Sequence, residues 1–227
     1  MAQRTKRIVS VVTADIIHST RYDSNSRRRI NTILKRSFAD LIRKYPNSIH
    51  TRLAFRITAG DEFQFVVTNV PQSFDLLTYL RASVAMSNKI RPTITFRAAI
   101  GVGGITLSRG SNSYEKDGEA FVRARKGLEE LDRRRQRLTK IVTGNPDTDP
   151  IGDLTLLFMD RLQNSWTVPQ WEAVKWSLLG FKREEIAGKL KVAHQNVTKR
   201  LTAAGWQEFL AGSQFLRELL EKASNPN

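Results

Sequence analysis

The sequence has 227 residues and a formal net charge of +15, from 37 Lys and Arg against 22 Asp and Glu. This excess of positive charge predicts a polyanionic partner such as nucleic acid or nucleotide phosphates, and no apolar run approaches the roughly 20 residues that span a bilayer. The absence of cysteine excludes disulfide frameworks, Cys-ligated zinc and thiol nucleophiles, and it suits a cytoplasmic protein.

Apolar periodicity divides the first part of the chain into strands and helices. Their order is that of the ferredoxin-like split β-α-β unit with an extension, which predicts an α+β fold class. Gly101, Gly103 and Gly104 inside one strand predict a bulge or a close backbone approach. The predicted elements are a strand over 8–17, a helix over 24–44, strands over 53–58 and 62–68, a helix over 71–89, a strand over 94–107, a helix over 118–135, a strand over 138–143 and a helix over 153–163.

The polar segment 145–150 predicts a domain boundary, because the periodicity that follows it is helical. We therefore predict one domain over 1–150, followed by a linker helix and an all-α helix-turn-helix domain over 151–227. Helices are predicted over 170–179, 183–190 and 194–204, with a turn at Val192 and Ala193 before the last one. Apolar residues further on would close this module or form a dimer seam: Trp206, Phe209, Leu210, Phe215 and Leu219.

The pattern over 183–204 resembles the helix-turn-helix of sigma-factor region 4 and related regulators. In such folds the third helix enters the major groove and its exposed residues contact bases. Gln and Asn pair with adenine, whereas Lys and Arg suit guanine or phosphate. The alternative is a helical bundle whose polar face contacts only water. The candidate DNA-binding residues are His194, Gln195, Asn196, Thr198, Lys199, Arg200 and Thr202.

Two carboxylates are predicted at one edge of the sheet. Asp15 ends an apolar strand, and Asp61 lies in a tight hairpin between the next two strands. Two like charges in a desolvated place require a compensating cation, and oxygen ligands suit Mg²⁺. The segment 18–20 leads into a helix whose free amides could bind phosphate. The alternative is that Asp15 caps a local turn and Asp61 is a turn residue.

Three motifs resemble those of class III nucleotidyl cyclases. The segment 12–20 (VTADIIHST) resembles their first metal-binding strand, and 59–63 (AGDEF) resembles the hairpin with their second metal-binding Asp. The segment 97–103 (RAAIGVG) is similar to their Arg-x-Gly-Ile-x-x-Gly strand, with Ala99 in place of Gly. The cyclase-like part covers about 6–145, and the chain as a whole most resembles the SatD family, which joins such a palm-like domain to a DNA-binding module.

The resemblance implies a metal and nucleotide site. Asp15, Asp61 and the Ile16 carbonyl would hold Mg²⁺ or Mn²⁺, and 16–20 would contact a triphosphate. The nucleotide-binding residues implied in this way are Ile17, His18, Ser19, Thr20, Gly60 and Arg125.

The chain departs from the cyclases where they place their transition-state residues. Within 118–126 (GEAFVRARK), Val122 stands where Asn belongs and Lys126 where Arg belongs, while Ile57 replaces the base-selecting Lys. Losing one positioned donor typically costs about 10²–10³ in rate. The candidate catalytic residues are therefore Arg125, as a substitute, and Lys126. The alternative for Arg125 is a salt-bridged residue at the edge of the apolar face.

Together these features predict a cytoplasmic DNA-binding transcriptional regulator with a cyclase-like Mg–nucleotide sensor domain. A homodimer is expected, because regulators pair half-sites and cyclase-like sites are commonly built between protomers. The alternative is an active nucleotidyl cyclase that converts NTP to cyclic NMP and carries an accessory helix-turn-helix module. The sequence leaves enzymatic activity open between these two.

Overall fold

The computed structural model describes residues 7–50, 56–57, 61–87, 94–105, 118–131 and 137–225. A five-stranded sheet with helices on both faces is followed by a wholly helical region. The strands are β1 (Arg7–Ile16), β2 (Arg56–Ile57), β3 (Glu62–Val67), β4 (Phe96–Ile105) and β5 (Thr139–Val142). The helices are α1 (Ser24–Lys44), α2 (Ser73–Met86), α3 (Glu119–Glu130), α4 (Asp149–Ser165), α5 (Val168–Leu178), α6 (Arg183–Leu190), α7 (His194–Ala203) and α8 (Trp206–Ser224).

The sheet has the strand order β2-β3-β1-β4-β5, with β4 and β5 parallel and the other pairs antiparallel. The apolar strand β1 occupies the middle because its side chains are buried on both faces. Its last residues lie opposite β3 and β4 at once: Asp15 is in register with Glu62 and with Arg97. The predicted α+β class and its split β-α-β order are confirmed.

Helix α3 covers one face of the sheet and lies directly on the glycines of β4. A Cβ atom added at Gly101 would come within 2.3 Å of the Ala120 carbonyl oxygen and of the Ala124 nitrogen. The pairing of β4 with β1 continues without interruption from Phe96 to Ile105. Of the two predicted alternatives, Gly101 and Gly103 therefore mark a close backbone approach and not a bulge.

Helix α4 begins at Asp149, four residues before the predicted start at 153. The Asp149 carboxylate accepts hydrogen bonds from the backbone N–H groups of Thr143, at 2.9 Å, and Gly144, at 3.1 Å. Pro150 occupies the first turn, where a helix needs no N–H donor. The end of the polar segment 145–150 thus belongs to this helix.

Helix α2 lies between the sheet and the C-terminal helices, and Ser73 to Ala85 are buried on every side of it. One apolar core continues from Val12 in β1 to Leu220 in α8. Trp206, Phe209 and Leu219 of α8 are buried and close the helical region, whereas Leu210 and Phe215 are exposed. Among the residues that the structure describes, none of the helices combines the length and apolar character needed to cross a membrane.

Candidate functional site

The two predicted metal-binding carboxylates come from neighbouring backbone positions. The Ile16 N–H donates a hydrogen bond to the Asp61 carbonyl oxygen at 3.2 Å, which fixes the end of β1 against the start of β3. The side chains are separated nevertheless. Alternate residues of β1 face opposite sides of the sheet, so Asp15 faces the side that α3 covers while Asp61 lines a cavity beside α1.

Asp15 is held in an ion pair with Arg97 of the neighbouring strand. The Arg97 Nε donates to Asp15 Oδ1 at 2.9 Å, and its Nη2 donates to Oδ2. Arg97 also donates from Nη1 to the Leu131 carbonyl at the end of α3, at 2.9 Å. Both side chains are largely buried, with 8% of Arg97 and 14% of Asp15 exposed. Arg97 thus supplies the positive charge that the sequence pattern led us to expect from a metal.

The cavity beside Asp61 has a volume of about 230 Å³. Its predicted members are Ile16, Ser19 and Thr20. His18, which lies between Ile16 and Ser19 in the chain, has the left-handed conformation at φ 59°. The remaining lining residues besides Asp61 come from the segment before α1 and from α1 itself: Tyr22, Arg27, Ile30 and Asn31. Arg27 and Asn31 were not predicted. These two residues could have been recognised in the sequence as a basic residue and an amide residue four positions apart on the first helix. This spacing places both on one face of the helix.

The nucleotide-binding residues predicted from the resemblance do not meet in one place. Ile17 donates its N–H to the Thr95 carbonyl at 3.0 Å, and Gly60 lies outside the described residues. Arg125 lies on the opposite face of the sheet, where its Nη1 donates to both carboxylate oxygens of Glu62, at 2.9 and 3.0 Å. Hydrogen bonding to Glu62 raises the pKa of Arg125. This ion pair agrees with the alternative interpretation of Arg125, a salt-bridged residue at the edge of the apolar face.

Helix α3 leaves its cyclase-motif positions at the surface. Val122, at the position of the catalytic Asn, is 65% exposed. Lys126, at the position of the catalytic Arg, is also exposed and lies 3.8 Å from Glu130. Val122, Lys126 and Arg125 line a shallow cavity of about 430 Å³ on this face. The described residues therefore do not bring either candidate catalytic cation to Asp61.

Helices α6 and α7 are short and are joined by a tight turn. Lys191 ends α6 in the left-handed conformation at φ 53°, and the Val192 N–H donates back to the Ala187 carbonyl at 3.1 Å. Val197 and Leu201 are buried on the inner face of α7, and Ile186 and Ala187 are buried on the inner face of α6. This confirms the predicted helices and places the turn one residue earlier, at Lys191.

Some of the predicted DNA-binding residues are exposed, and others contact neighbouring helices or are half-buried. Gln195, Asn196, Lys199 and Thr202 are exposed on α7. His194 is half exposed and its Nε2 lies 3.2 Å from Glu184 of α6. Thr198 is half-buried. The Arg200 Nη1 donates to Glu172 of α5 at 3.0 Å, so this arginine ties α7 to α5.

Comparison with known proteins gives a family and a fold. The SatD family model matches residues 9–220. The chain belongs to the SatD family. No curated protein matches this SatD family member by sequence.

Two of the solved structures with a similar fold are nucleotidyl cyclases. The guanylyl cyclase Cya2 has a TM-score of 0.40 and 9% identity, covering 55% of this chain and 70% of that one. A bacterial light-regulated adenylyl cyclase has a TM-score of 0.39 and 11% identity, covering 61% of this chain and 44% of its own length. At these identities the likeness concerns the fold alone.

Proposed function

We propose that this SatD family member is a DNA-binding transcriptional regulator whose cyclase-like domain binds nucleotide phosphate. The observation that carries the proposal is helix α7, whose inner face is buried while Gln195, Asn196 and Lys199 stand exposed after a tight turn. Such a regulator would act in the cytoplasm. A homodimer would present two α7 helices to two half-sites of an operator.

The exposed residues of α7 have the chemistry for base contacts. Gln195 and Asn196 lie in its first turn, which in a helix-turn-helix points at base edges. An amide pairs bidentately with adenine, and Lys199 one turn later suits guanine or a phosphate. Arg200 is engaged by Glu172 and acts in this proposal through the position of α7.

Quantitative DNA binding tests this assignment. A preferred duplex is selected from random sequences, and its affinity is measured by fluorescence anisotropy over a range of salt concentrations. Lys199→Ala is expected to weaken binding to all duplexes and to lower the salt slope by about 1. Gln195→Ala is expected to cost about 1–3 kcal/mol on the preferred duplex and less on others.

Lys222→Ala is the matched control, because Lys222 is also exposed but lies at the end of α8. If Lys199→Ala loses no more affinity than this control, DNA binds the positively charged surface in general and not α7.

The cavity beside Asp61 is the proposed nucleotide-phosphate site. Arg27, Ser19 and Thr20 supply a cation and two hydroxyl donors around it, which is the donor set that phosphate oxygens accept. The predicted Mg²⁺ or Mn²⁺ site fits less well, since Arg97 already engages both oxygens of Asp15. Within the described ranges, no three His, Cys, Asp or Glu side chains form a cluster suited to a metal. The proposal therefore relies on the protein's own donors for phosphate binding.

Titration calorimetry with ATP and GTP tests the site. Arg27→Ala is expected to weaken nucleotide binding by about tenfold, because a charge-assisted hydrogen bond is lost. Arg29→Ala, exposed on the same helix but not part of the cavity, is the control. A cyclic nucleotide formed with Mg²⁺ or Mn²⁺, and lost in Asp15→Ala and Asp61→Ala, would instead establish the alternative, an active cyclase.

A further inference from the structure

The exposed face of α1 is basic along most of its length. Helix α1 contains seven Arg and Lys residues and one acidic residue, Asp40. Four of the basic residues lie on one face together with Thr32 and Ala39, because these six positions are spaced by three or four residues. The four are all exposed, and they are called the α1 basic face below: Arg28, Lys35, Arg36 and Arg43.

The opposite side of α1 is packed into the core. Ile30, Leu34 and Leu41 are buried there, and the Phe38 ring centroid lies 5.2 Å from that of Phe65 in β3. An amphipathic helix that binds a membrane surface inserts its apolar face into the lipid. Because the apolar face of α1 is already occupied, a partner of the α1 basic face is bound through charge and hydrogen bonds, as a polyanion is.

Helix α3 shows how this protein arranges charge on a helix face that contacts only solvent. Arg123 lies 3.9 Å from Glu119, and Lys126 lies 3.8 Å from Glu130. Each cation thus has a carboxylate four residues away on the same helix, which is the spacing at which opposite charges stabilise a helix. Charge on α3 is therefore compensated within the helix itself.

The α1 basic face lacks this compensation. Arg28 donates to a neutral amide oxygen at 3.1 Å, and Lys35 and Arg36 form no ion pair among the residues that the structure describes. Arg43 donates to Asp40 at 3.0 Å but its side chain remains 76% exposed. Positive charges without counter-charges repel one another, and a polyanion bound across them relieves that repulsion.

Helix α5 links α1 to the proposed recognition helix α7. Lys175 of α5 donates to Asp40 of α1 at 3.1 Å, and Arg200 of α7 donates to Glu172 of α5 at 3.0 Å. Two steps of helix packing, each of about 8–10 Å, put the C-terminal half of α1 roughly 20 Å from α7. One helical turn of DNA is about 34 Å long, so a duplex bound by α7 extends past this distance.

We propose that the α1 basic face binds the phosphate backbone of the same duplex whose bases α7 contacts. The inference rests on the proposed function, and it gives the cyclase-like domain a direct, sequence-independent part in DNA binding. A duplex carries one negative charge per about 1.7 Å of its axis. Cations spread along a helix roughly 30 Å long therefore meet phosphates in any sequence. Such contacts position the protein, while α7 supplies the specificity.

The salt dependence of binding counts the phosphate contacts. The affinity of the full chain is measured by fluorescence anisotropy over a range of salt concentrations, with the selected sequence inside a duplex of about three helical turns. The double variant Lys35→Gln, Arg36→Gln is expected to lower the salt slope by about 2. Its preference for the selected over a scrambled sequence is expected to stay unchanged. Gln195→Ala is expected to do the reverse, lowering that preference with little effect on the slope.

Two further variants assign the loss to this face and to its charge. Arg161→Gln with Lys222→Gln removes the same charge from exposed sites on α4 and α8. The slope of this control is expected to stay near the wild-type value, because charges more than about 10 Å from the duplex are largely screened. Lys35→Arg with Arg36→Lys retains both charges and is expected to retain the wild-type slope.

An unchanged slope in Lys35→Gln, Arg36→Gln, or a change matched by the α4 and α8 control, would overturn the proposal while leaving the base contacts of α7 in place. A protein that binds no duplex would overturn both this proposal and the proposed function. Vesicles of phosphatidylserine in phosphatidylcholine test the other anionic surface. Vesicle binding that the double variant loses, with an unchanged DNA slope, would show that the α1 basic face contacts lipid headgroups and would refute the proposal.

Discussion

At the scale of single residues, the ion pair with Arg97 compensates the largely buried negative charge of Asp15 at the edge of the sheet. Removing two charges from water is costly, and the attraction between them offsets that cost only when their geometry is good. Here the guanidinium engages both carboxylate oxygens and also the end of α3. Asp15 is thereby neutralised within the chain, and Arg97 would have to withdraw before Asp15 could hold a metal.

Removal of Arg97 tests this directly. In Arg97→Met the Asp15 carboxylate loses its buried partner, and we expect a loss of about 3–5 kcal/mol in the free energy of unfolding. Mg²⁺ is then expected to raise the melting temperature of Arg97→Met, because a cation can replace the guanidinium charge beside the Asp15 carboxylate. The wild-type melting temperature is expected to stay unchanged in Mg²⁺ relative to KCl of equal ionic strength. A Mg²⁺-dependent rise in wild type that Asp15→Asn abolishes would show that metal displaces Arg97.

The sequence predicted the place of the two carboxylates but not their partners. Asp15 and Asp61 were expected at one edge because strand order and hairpin position are local patterns, and the backbone there is adjacent. Arg97 follows Asp15 by 82 residues, and only the register of β1 with β4 brings them together. Register is only weakly specified in a glycine-rich strand such as β4, so the pair of Asp15 with Arg97 could not be predicted. For Arg125 the sequence offered an ion pair but did not identify Glu62 as the partner.

At the scale of elements, the packing of α3 on the sheet depends on glycine. The added Cβ at Gly101 meets backbone atoms of Ala120 and Ala124, which cannot rotate away as a side chain would. Helix α3 carries Arg125 and covers the face on which Asp15 lies. Its distance from β4 therefore sets the geometry of that whole face.

Gly101→Ala is expected to destabilise the protein by about 3 kcal/mol, at the upper end for overpacking, since the backbone of α3 must shift. Gly188→Ala provides the matched comparison. Gly188 lies inside α6 with no atom within 4 Å of an added Cβ, and alanine there is expected to stabilise by about 0.5–1 kcal/mol. Chemical denaturation measures both changes. Similar effects for the two variants would mean that α3 does not lie tightly on β4.

Most elements could be predicted because each carries its own local pattern. The buried strand β1, the amphipathic helix α1 and the short helices α6 and α7 begin and end close to their expected residues. The start of α4 could not be placed correctly, because Asp149 and Pro150 also suit a loop. The Asp149 carboxylate reaches the end of β5, a contact between two elements, and this contact extends the helix.

At the scale of the whole molecule, α2 is one of the elements that connect the sheet to the C-terminal helices. Asp75 in its first turn accepts from Ser213 and Arg217 of α8. Tyr79 donates to Asp40 of α1, and Arg81 donates to Gln163 of α4. A movement of α1, α4 or α8 relative to α2 must break or stretch one of these polar contacts.

Asp40 is the residue that joins three helices in one cluster. Its Oδ2 accepts from Tyr79 of α2 at 2.7 Å and from Lys175 of α5 at 3.1 Å. Burial alone would raise the pKa of Asp40, but the hydrogen bonds from Tyr79 and Lys175 outweigh it and lower that pKa. Burial and the bond to Asp40 raise the pKa of Tyr79, which therefore remains a protonated donor.

The sign of this shift predicts how the junction responds to acid. A carboxylate whose pKa is lower in the folded state stabilises the protein above its unfolded pKa, and that contribution is lost as pH falls through the folded pKa. Asp40→Asn is expected to cost about 1–3 kcal/mol near pH 7, and the gap from wild type is expected to close below about pH 4. Urea unfolding of both proteins from about pH 7 to about pH 3 measures this gap. Glu221→Gln, at an exposed site on α8, is expected to show almost no difference at any pH. A gap for Asp40→Asn that stays constant with pH would mean that the charge of Asp40 does not join the three helices.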